Sequence, residues 1–284
     1  MSILVTGGAG FIGGNFIQHL QKIVEEHVIV IDKLGYASNL NYIPDTSQFH
    51  FAAESHVDNS ILNCKPFVES NIIGTINLLN ASRNIDIEKF HHISTDEVFG
   101  SISEGSFTEK SLYDPKNPYS ASKAASDHFV NAFHNTYGLP TVITNCSNNY
   151  GPRQYREKLI PQTIINLLNN KNVPVYGDGL QIRDWLYVQD HCEALIEVWK
   201  YGKIGQRYNI GGQCEIKNID LVKKIINLLG KDESMIKYVN DRLGHDRRYS
   251  TDISKITTEL NWKPRFDIEN GLGRTIQWYE RYRN

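Results

Sequence analysis

The run Thr6-Gly7-Gly8-Ala9-Gly10-Phe11-Ile12-Gly13 constrains this chain more than any other stretch, because it joins the apolar Ile3-Leu4-Val5 to an amphipathic segment from Phe11 to Lys22. A strand that ends in a glycine-rich turn and passes directly into a helix opens a strand–helix–strand unit. Gly7 and Gly8 permit the tight turn, Gly10 lets backbone N–H groups approach an anion at the positive helix N-terminus, and Gly13 allows close helix–sheet packing. Asp32 closes the second strand-like run, Val28 to Ile31, 19 residues after Gly13. A carboxylate there accepts both hydroxyls of an adenosine ribose and repels a 2′-phosphate, so the two signals together point to NAD rather than NADP.

Strand-like and helix-like stretches keep alternating: an apolar run at His50 to Ala53, a helix from Pro66 to Arg83, a strand from Phe90 to Ser94, a helix from Pro118 to Tyr137 and a strand from Pro140 to Cys146. This alternation predicts an α/β fold built on a Rossmann-type, doubly wound parallel sheet. After Tyr150 the rhythm loosens, with helices at Leu159 to Asn169, Ile219 to Leu229 and Ile268 to Tyr279 and short strands at Val173 to Tyr176 and Arg207 to Ile210. The expected organisation is an NAD-binding domain over residues 1–150 and a smaller C-terminal α/β substrate-binding region over 151–284.

Composition excludes several partners. With 30 Lys+Arg against 32 Asp+Glu, the net charge of -2 lacks the basic excess of a nucleic-acid binder. No apolar run approaches the roughly 20 residues of a membrane span. Cys64, Cys146, Cys192 and Cys214 are widely spaced, which writes neither a disulfide framework nor a zinc site, and His91-His92 have no metal-ligand spacing around them. No metal is expected. Met1 leads straight into the first strand, and with reduced cysteines this gives a cytoplasmic expectation.

Two further motifs carry chemistry. Tyr119 and Lys123 follow Asn117-Pro118 at a spacing that puts them on one helix face, where an ammonium beside a phenol lowers its pKa and makes it a base for a sugar hydroxyl. Taken alone, such a pair arises readily by chance in a chain with 15 tyrosines. Ser94-Thr95-Asp96-Glu97-Val98-Phe99-Gly100 lies at the C-terminal end of a parallel strand, the edge where open α/β sheets hold ligands. In extended backbone the two carboxyls point oppositely, so Asp96 and Glu97 suit an acid and a base, although an isolated Asp-Glu pair reads equally as a solvated turn.

With Phe51-Ala52-Ala53-Glu54-Ser55-His56-Val57-Asp58, Tyr119-Ser120-Ala121-Ser122-Lys123, Asn145 to Pro152, Arg183 to Val188 and Gly244 to Tyr249 added, the chain closely resembles the dTDP-glucose 4,6-dehydratases of the extended short-chain dehydrogenase/reductase superfamily. The Thr95-Asp96-Glu97 signature separates that family from the sugar epimerases of the same fold. The resemblance implies that Tyr119, with Lys123, takes the O4 proton while C4 passes hydride to NAD. Glu97 then takes the C5 proton, Asp96 protonates the departing C6 hydroxyl, Thr95 bonds at O4, and hydride returns to C6. It also implies NAD contacts from Gly7, Gly10, Phe11, Ile12, Gly13, Asp32, Lys33, Ala53, Ser55, Asn71, Tyr119, Lys123 and Asn145. Ser55, Thr95, Asn148, Lys158, Leu159, Pro174, Tyr176, Arg183, Asn218, His245 and Arg247 resemble the dTDP-sugar pocket, with Arg183 and Arg247 forking the diphosphate. Read singly, each arginine is equally a surface residue, and Tyr176 and Leu159 are equally core. A homodimer paired through the helices Pro66 to Arg83 and Pro118 to Tyr137 is implied as well.

The family pattern has further chain where this sequence passes directly through Gln48-Phe49-His50; roughly 25 residues are absent, more than the 10–12 of a minimal crossover. In the family that stretch carries a contact to the cofactor adenine. Arg156 and Leu243 stand where the family usually has proline. The rival readings are the same reaction on UDP-glucose, a 4-epimerase, which has no use for an elimination pair, and an idle NAD-binding scaffold.

Overall fold

The computed structural model describes residues 2–39 and 54–282. The apolar run expected at His50 to Ala53 lies outside the described residues. The N-terminal half opens with β1 (Ser2–Thr6), α1 (Phe11–Leu20) and β2 (His27–Ile31), the strands running parallel from Ser2 opposite His27 to Thr6 opposite Ile31. Next come α2 (Val57–Leu62) and a continuous helical run made of α3 (Lys65–Phe67), a π-helical segment (Val68–Ile73) and α4 (Gly74–Arg83). β3 (Phe90–Thr95), α5 (Pro118–Tyr137) and β4 (Thr141–Cys146) complete this half.

α5 is bounded as its sequence dictates. The Asn117 side chain accepts from Ser120 N while the Ser120 hydroxyl serves the Asn117 backbone, Pro118 fills the first turn, and Gly138 closes the helix in the left-handed region at φ 69°. β4 is buried at every position, as a central parallel strand covered on both faces must be.

Beyond Tyr150 the chain does not stay in a separate region. β5 (Asn148–Tyr150), α6 (Leu159–Leu168), β6 (Val173–Tyr176) and β7 (Ile182–Tyr187) lead into α7 (Val188–Tyr201) and β8 (Arg207–Ile210). β8 then pairs parallel to β4, giving the order β3-β4-β8. Ile196 of α7 packs with Ile17, Leu20, Val28 and Val30, and Ala194, Leu195 and Val198 pack with Val142, Tyr208 and Ile210. α7 and β8, on the far side of the division expected at residue 150, pack with the Rossmann layer, because a further parallel strand needs a covering crossover helix. Lys89, just before β3, holds the C-terminal carbonyls of α7, donating to Val198 O, Trp199 O and Gly202 O at 3.2, 2.6 and 2.9 Å.

The second region holds β9 (Glu215–Lys217), α8 (Asn218–Leu228), β10 (Ile236–Val239) and α10 (Ile268–Arg281), whereas α9 (Ser254–Leu260) returns to the Rossmann core, where Ile256 packs with Val142, Tyr208 and Ile210. β9 runs antiparallel to β7 and β10 parallel to β6. Its core gathers Tyr150, Ile160, Ile164, Leu167, Val222 and Leu272. α10 crosses Tyr150 so closely that a Cβ on Gly271 would lie 1.9 Å from the phenol oxygen. Among the described residues, no ladder joins the β1–β2 pair to β3, and Leu4 and Ile29 are 52% and 37% exposed.

Candidate active site

The glycine turn fits a dinucleotide pyrophosphate. Gly7 sits at φ 89°, and a Cβ on Gly13 would lie 1.7 Å from the Gly7 carbonyl oxygen, so α1 meets the turn only because no side chain intervenes. Gly10 caps α1 without a side-chain hydrogen bond, which leaves the first-turn amides of Phe11, Ile12 and Gly13 to a ligand. Asp32 is 6% exposed and already accepts from Ala9 N at 3.0 Å, Leu34 N at 2.5 Å and the Ser38 hydroxyl at 3.2 Å. Its two oxygens offer about four lone-pair positions, so one of the two expected ribose hydroxyls would have to displace Ser38.

The other expected NAD contacts divide. Lys33 reaches the Ser70 hydroxyl at 2.9 Å and Glu54 at 3.6 Å, and the Ser55 carbonyl accepts from Lys158 Nζ at 2.9 Å. Ala53 lies outside the described residues. Asn71 exchanges two hydrogen bonds with the Glu54 backbone and donates to Ser122 Oγ at 2.9 Å, while Asn39 N donates to Ala9 O at 2.8 Å. Asn145 is 0% exposed and donates to Thr95 O and Asp127. Asn71 and Asn145 thus tie protein to protein, while Asn145 Oδ1 is buried without a protein partner and stays open to a ligand.

The catalytic turn departs from its expected form. β3 ends at Thr95, and Asp96 and Glu97 stand in a 3₁₀ turn, Asp96–Phe99, capped by Thr95, whose hydroxyl accepts from Glu97 N at 3.3 Å. The carboxyls diverge by turn geometry rather than strand alternation. Burial, then Glu97 and Asp184, push the Asp96 carboxyl well above the usual range. Glu97 is raised by burial as well, but Lys158 and Arg183 favour its charged form. Two neighbouring acids are driven apart, which poises Asp96 as a proton donor and Glu97 as a proton acceptor.

α5 brings Tyr119 in its first turn, with its amide donating to Ser60 Oγ at 3.2 Å and its ring edge-on to Phe67. The expected lowering of its pKa is corrected: burial, followed by the charges of Glu97, Cys146 and Asp96, pushes the phenol well above its ordinary value, with the Thr95 hydroxyl opposing. Lys123 donates to Ile93 O at 2.9 Å and does not offset that rise. The Cys146 thiol is pushed up to about 12, chiefly by burial, and stays neutral. His91 pairs with Thr144 Oγ1 at 3.1 Å, and His92 Nε2 lies 3.2 Å from Asp127 Oδ1 without a hydrogen bond between them.

The opposite wall comes from the second region. Arg183 of β7 stacks on Tyr249, 4.2 Å from guanidinium carbon to ring centre, and donates to Asp246 O at 2.9 Å. Lys158 caps α6, Pro174 and Tyr176 lie on β6, and Leu159 packs into the second core. Asn148 and Asn218 each keep a buried side-chain oxygen without a protein partner, as ligand-facing amides should. His245 pairs with Asp241 at 2.6 Å. Arg247 is exposed, and its guanidinium pairs with Asp178 by bonds of 2.9 and 3.1 Å. Arg242, not singled out by the sequence, is half-buried, donates to Asp58 at 3.0 Å, lies 5.4 Å over the Tyr176 ring and acts on the Glu97 carboxyl. Three arginines in Arg242-Leu243-Gly244-His245-Asp246-Arg247-Arg248 look alike until a fold orients them. Thr251, 3.5 Å from Asp96, was missed for the same reason.

A family model described as GDP-mannose 4,6 dehydratase matches residues 46–275, and one described as the NAD dependent epimerase/dehydratase family matches residues 3–49. The dTDP-glucose 4,6-dehydratase of Shigella flexneri is 47% identical over 334 aligned positions, covering 98% of this chain and 92% of the relative. That of Haemophilus influenzae is 47% identical, covering 98% of each. A dTDP-glucose 4,6-dehydratase from Streptomyces venezuelae, solved with NAD and dTDP bound, has a TM-score of 0.97 at 42% identity and covers 100% of this chain and 98% of its own. The UDP-glucose 4-epimerase of Thermotoga maritima scores 0.94 at 26% identity, covering 100% of both chains. Aligning 334 positions with 284 residues leaves at least 50 positions of the Shigella relative without a counterpart. That exceeds the roughly 25 expected from the motifs, though a βαβ crossover of about 30 residues is the unit such a gap removes. The two family models change over at residues 46–49, beside the Gln48-Phe49-His50 junction.

Proposed function

The chain belongs to the dTDP-glucose 4,6-dehydratase family, and we propose on that footing that it converts dTDP-glucose to dTDP-4-keto-6-deoxyglucose. The observation that carries the reading is the pair of neighbouring acids, Asp96 buried and raised well above its ordinary value and Glu97 half-buried with Lys158 favouring its charged form, set beside Tyr119.

Tyr119 takes the O4 proton, with Thr95 bonding the same oxygen. The glycine turn and Asp32 would hold NAD, which would supply the hydride chemistry at C4 and C6. Glu97 removes the proton at C5, which is acidic only once C4 is a ketone, and Asp96 delivers its proton to the departing C6 hydroxyl. Arg183 and Arg242 take the diphosphate, while Lys158, Tyr176, Asn148 and Asn218 line the nucleotide. A neutral Asp96 is a competent acid at once, whereas Tyr119 must lose its proton in a site that disfavours the phenolate.

Two features of the assembly belong to the same proposal. A second copy of the chain covers the apolar residues left open on the π-helical segment and α5, where Val68, Ile73 and Phe129 are 41%, 48% and 38% exposed. Sedimentation at micromolar concentration is expected to give a dimer, and a monomer counts against that face. A cytoplasmic location is supported by four unpaired cysteines and by the absence, among the described residues, of a helix long and apolar enough to cross a membrane.

Incubation with NAD and dTDP-glucose, followed by mass spectrometry, is expected to show loss of one water; UDP-glucose in competition fixes the base preference. An epimer without water loss would overturn the reading.

A further inference from the structure

Asp127 is 0% exposed and lies on α5 one turn beyond Lys123 and two beyond Tyr119. A buried carboxylate needs partners, and these are specific. Its Oδ2 accepts from the Tyr113 hydroxyl at 2.5 Å and from Asn145 Nδ2 at 3.3 Å, and its Oδ1 lies 3.2 Å from His92 Nε2. The same Asn145 amide donates to the Thr95 carbonyl at 3.0 Å, immediately before the acids of the catalytic turn. Tyr113 meets the other end of that turn, its ring edge-on to Phe99 with centroids 5.3 Å apart. One carboxylate therefore fastens both ends of the turn to the helix that bears Tyr119.

We propose that Asp127 is a positioning residue for the dehydration: through Asn145 and Tyr113 it fixes Thr95-Asp96-Glu97 against Tyr119, and its negative charge is the counter-charge of Lys123. The first part rests on the reaction assigned above; the second does not. The groups facing this pair are His92 from β3, Cys146 from β4, Tyr113 from the loop before α5, and Arg207 from β8, whose guanidinium lies 4.7 Å from the Tyr113 ring centre. Burial lowers the Lys123 pKa, and Asp127 is the foremost group acting against that. Burial likewise works against the Asp127 carboxylate, but His92, Lys123 and Tyr113 outweigh it and keep it ionised. Burial favours a neutral His92, and Asp127 works against that.

Asp127→Asn keeps the shape and removes the charge. In the NAD-loaded protein it is expected to lower kcat about tenfold, leave KM within about twofold, and move the alkaline limb of the kcat profile down by about one pH unit, with Asp127→Glu restoring most of each. Asn145→Ala keeps the charge and cuts the tie to Thr95, so kcat is expected to fall while the alkaline limb stays in place. Asn145→Ala decides the positioning role if Asp127→Asn does not fold. Titration of Lys123 through its ¹³Cε resonance, assigned by its loss in Lys123→Arg, needs no turnover and is expected to show a lower pKa in Asp127→Asn. An unmoved Lys123 titration overturns the counter-charge role whatever the substrate. Unchanged kcat in Asn145→Ala, or equal impairment of Asp127→Asn and Asp127→Glu with an unmoved limb, overturns the positioning role. A wild-type protein that titrates as expected yet releases no water from dTDP-glucose counts against the assigned reaction instead.

Discussion

Asp96 and Glu97 differ by one position and by most of what surrounds them. Asp96 faces Asp184 and the Thr251 hydroxyl, whereas Glu97 has Lys158, Arg183 and Arg242 in its field. Asp96 keeps its proton in the folded chain and loses it in the unfolded one, so folding takes up a proton. Its contribution to stability falls as pH rises from the ordinary carboxylate value toward the raised one. Asp96→Asn is accordingly expected to abolish turnover while raising Tm by roughly 2–4 °C at neutral pH, read by a thermal melt. Glu97→Gln is expected to lower kcat by about 10²–10⁴-fold and to accumulate a 4-keto-glucose nucleotide, detected by mass spectrometry. Unchanged dehydration in Glu97→Gln would displace that residue as the base. The identities of these acids were legible as a contiguous string; their separation in acidity was not, since it comes from Asp184 acting on Asp96 and Lys158 acting on Glu97, far away in the sequence. Arg242 and Arg247 illustrate the same limit, being five positions apart on one loop, the first bonded to Asp58 and the second to Asp178.

At the scale of elements, legibility followed punctuation. α5 was readable from end to end because Asn117, Pro118 and Gly138 mark its limits. α7 escaped notice because it starts directly after β7, with Tyr187 as an N-cap that makes no side-chain bond and no turn residue between strand and helix. The π-helical segment inside the run from Lys65 to Arg83 was equally silent, since its apolar spacing passes for that of an α-helix. α10 offers a test of close packing: Gly271→Ala forces a methyl group against the Tyr150 phenol and is expected to destabilise the protein by about 1–3 kcal/mol in urea unfolding. A neutral outcome would mean that α10 moves freely over the second core.

Across the whole molecule, the β3-β4-β8 group carries the catalytic turn and shares its core with α7, whereas the β1–β2 pair is held through α1 and α7 without a ladder to β3 among the described residues. Native-state hydrogen exchange is expected to release the amides of β1 and β2 before those of β3 and β4, with NAD narrowing the difference. Simultaneous exchange would show a single cooperative unit. The chain on either side of residues 40–53 is secured independently, by Asn39 to Ala9 on one flank and by Glu54 to Asn71 on the other. Changing the length of chain between two fixed points alters the closure entropy only slowly, by about 0.6 kcal/mol per doubling. Each flank therefore keeps its own anchor, and neither depends on the other for its place.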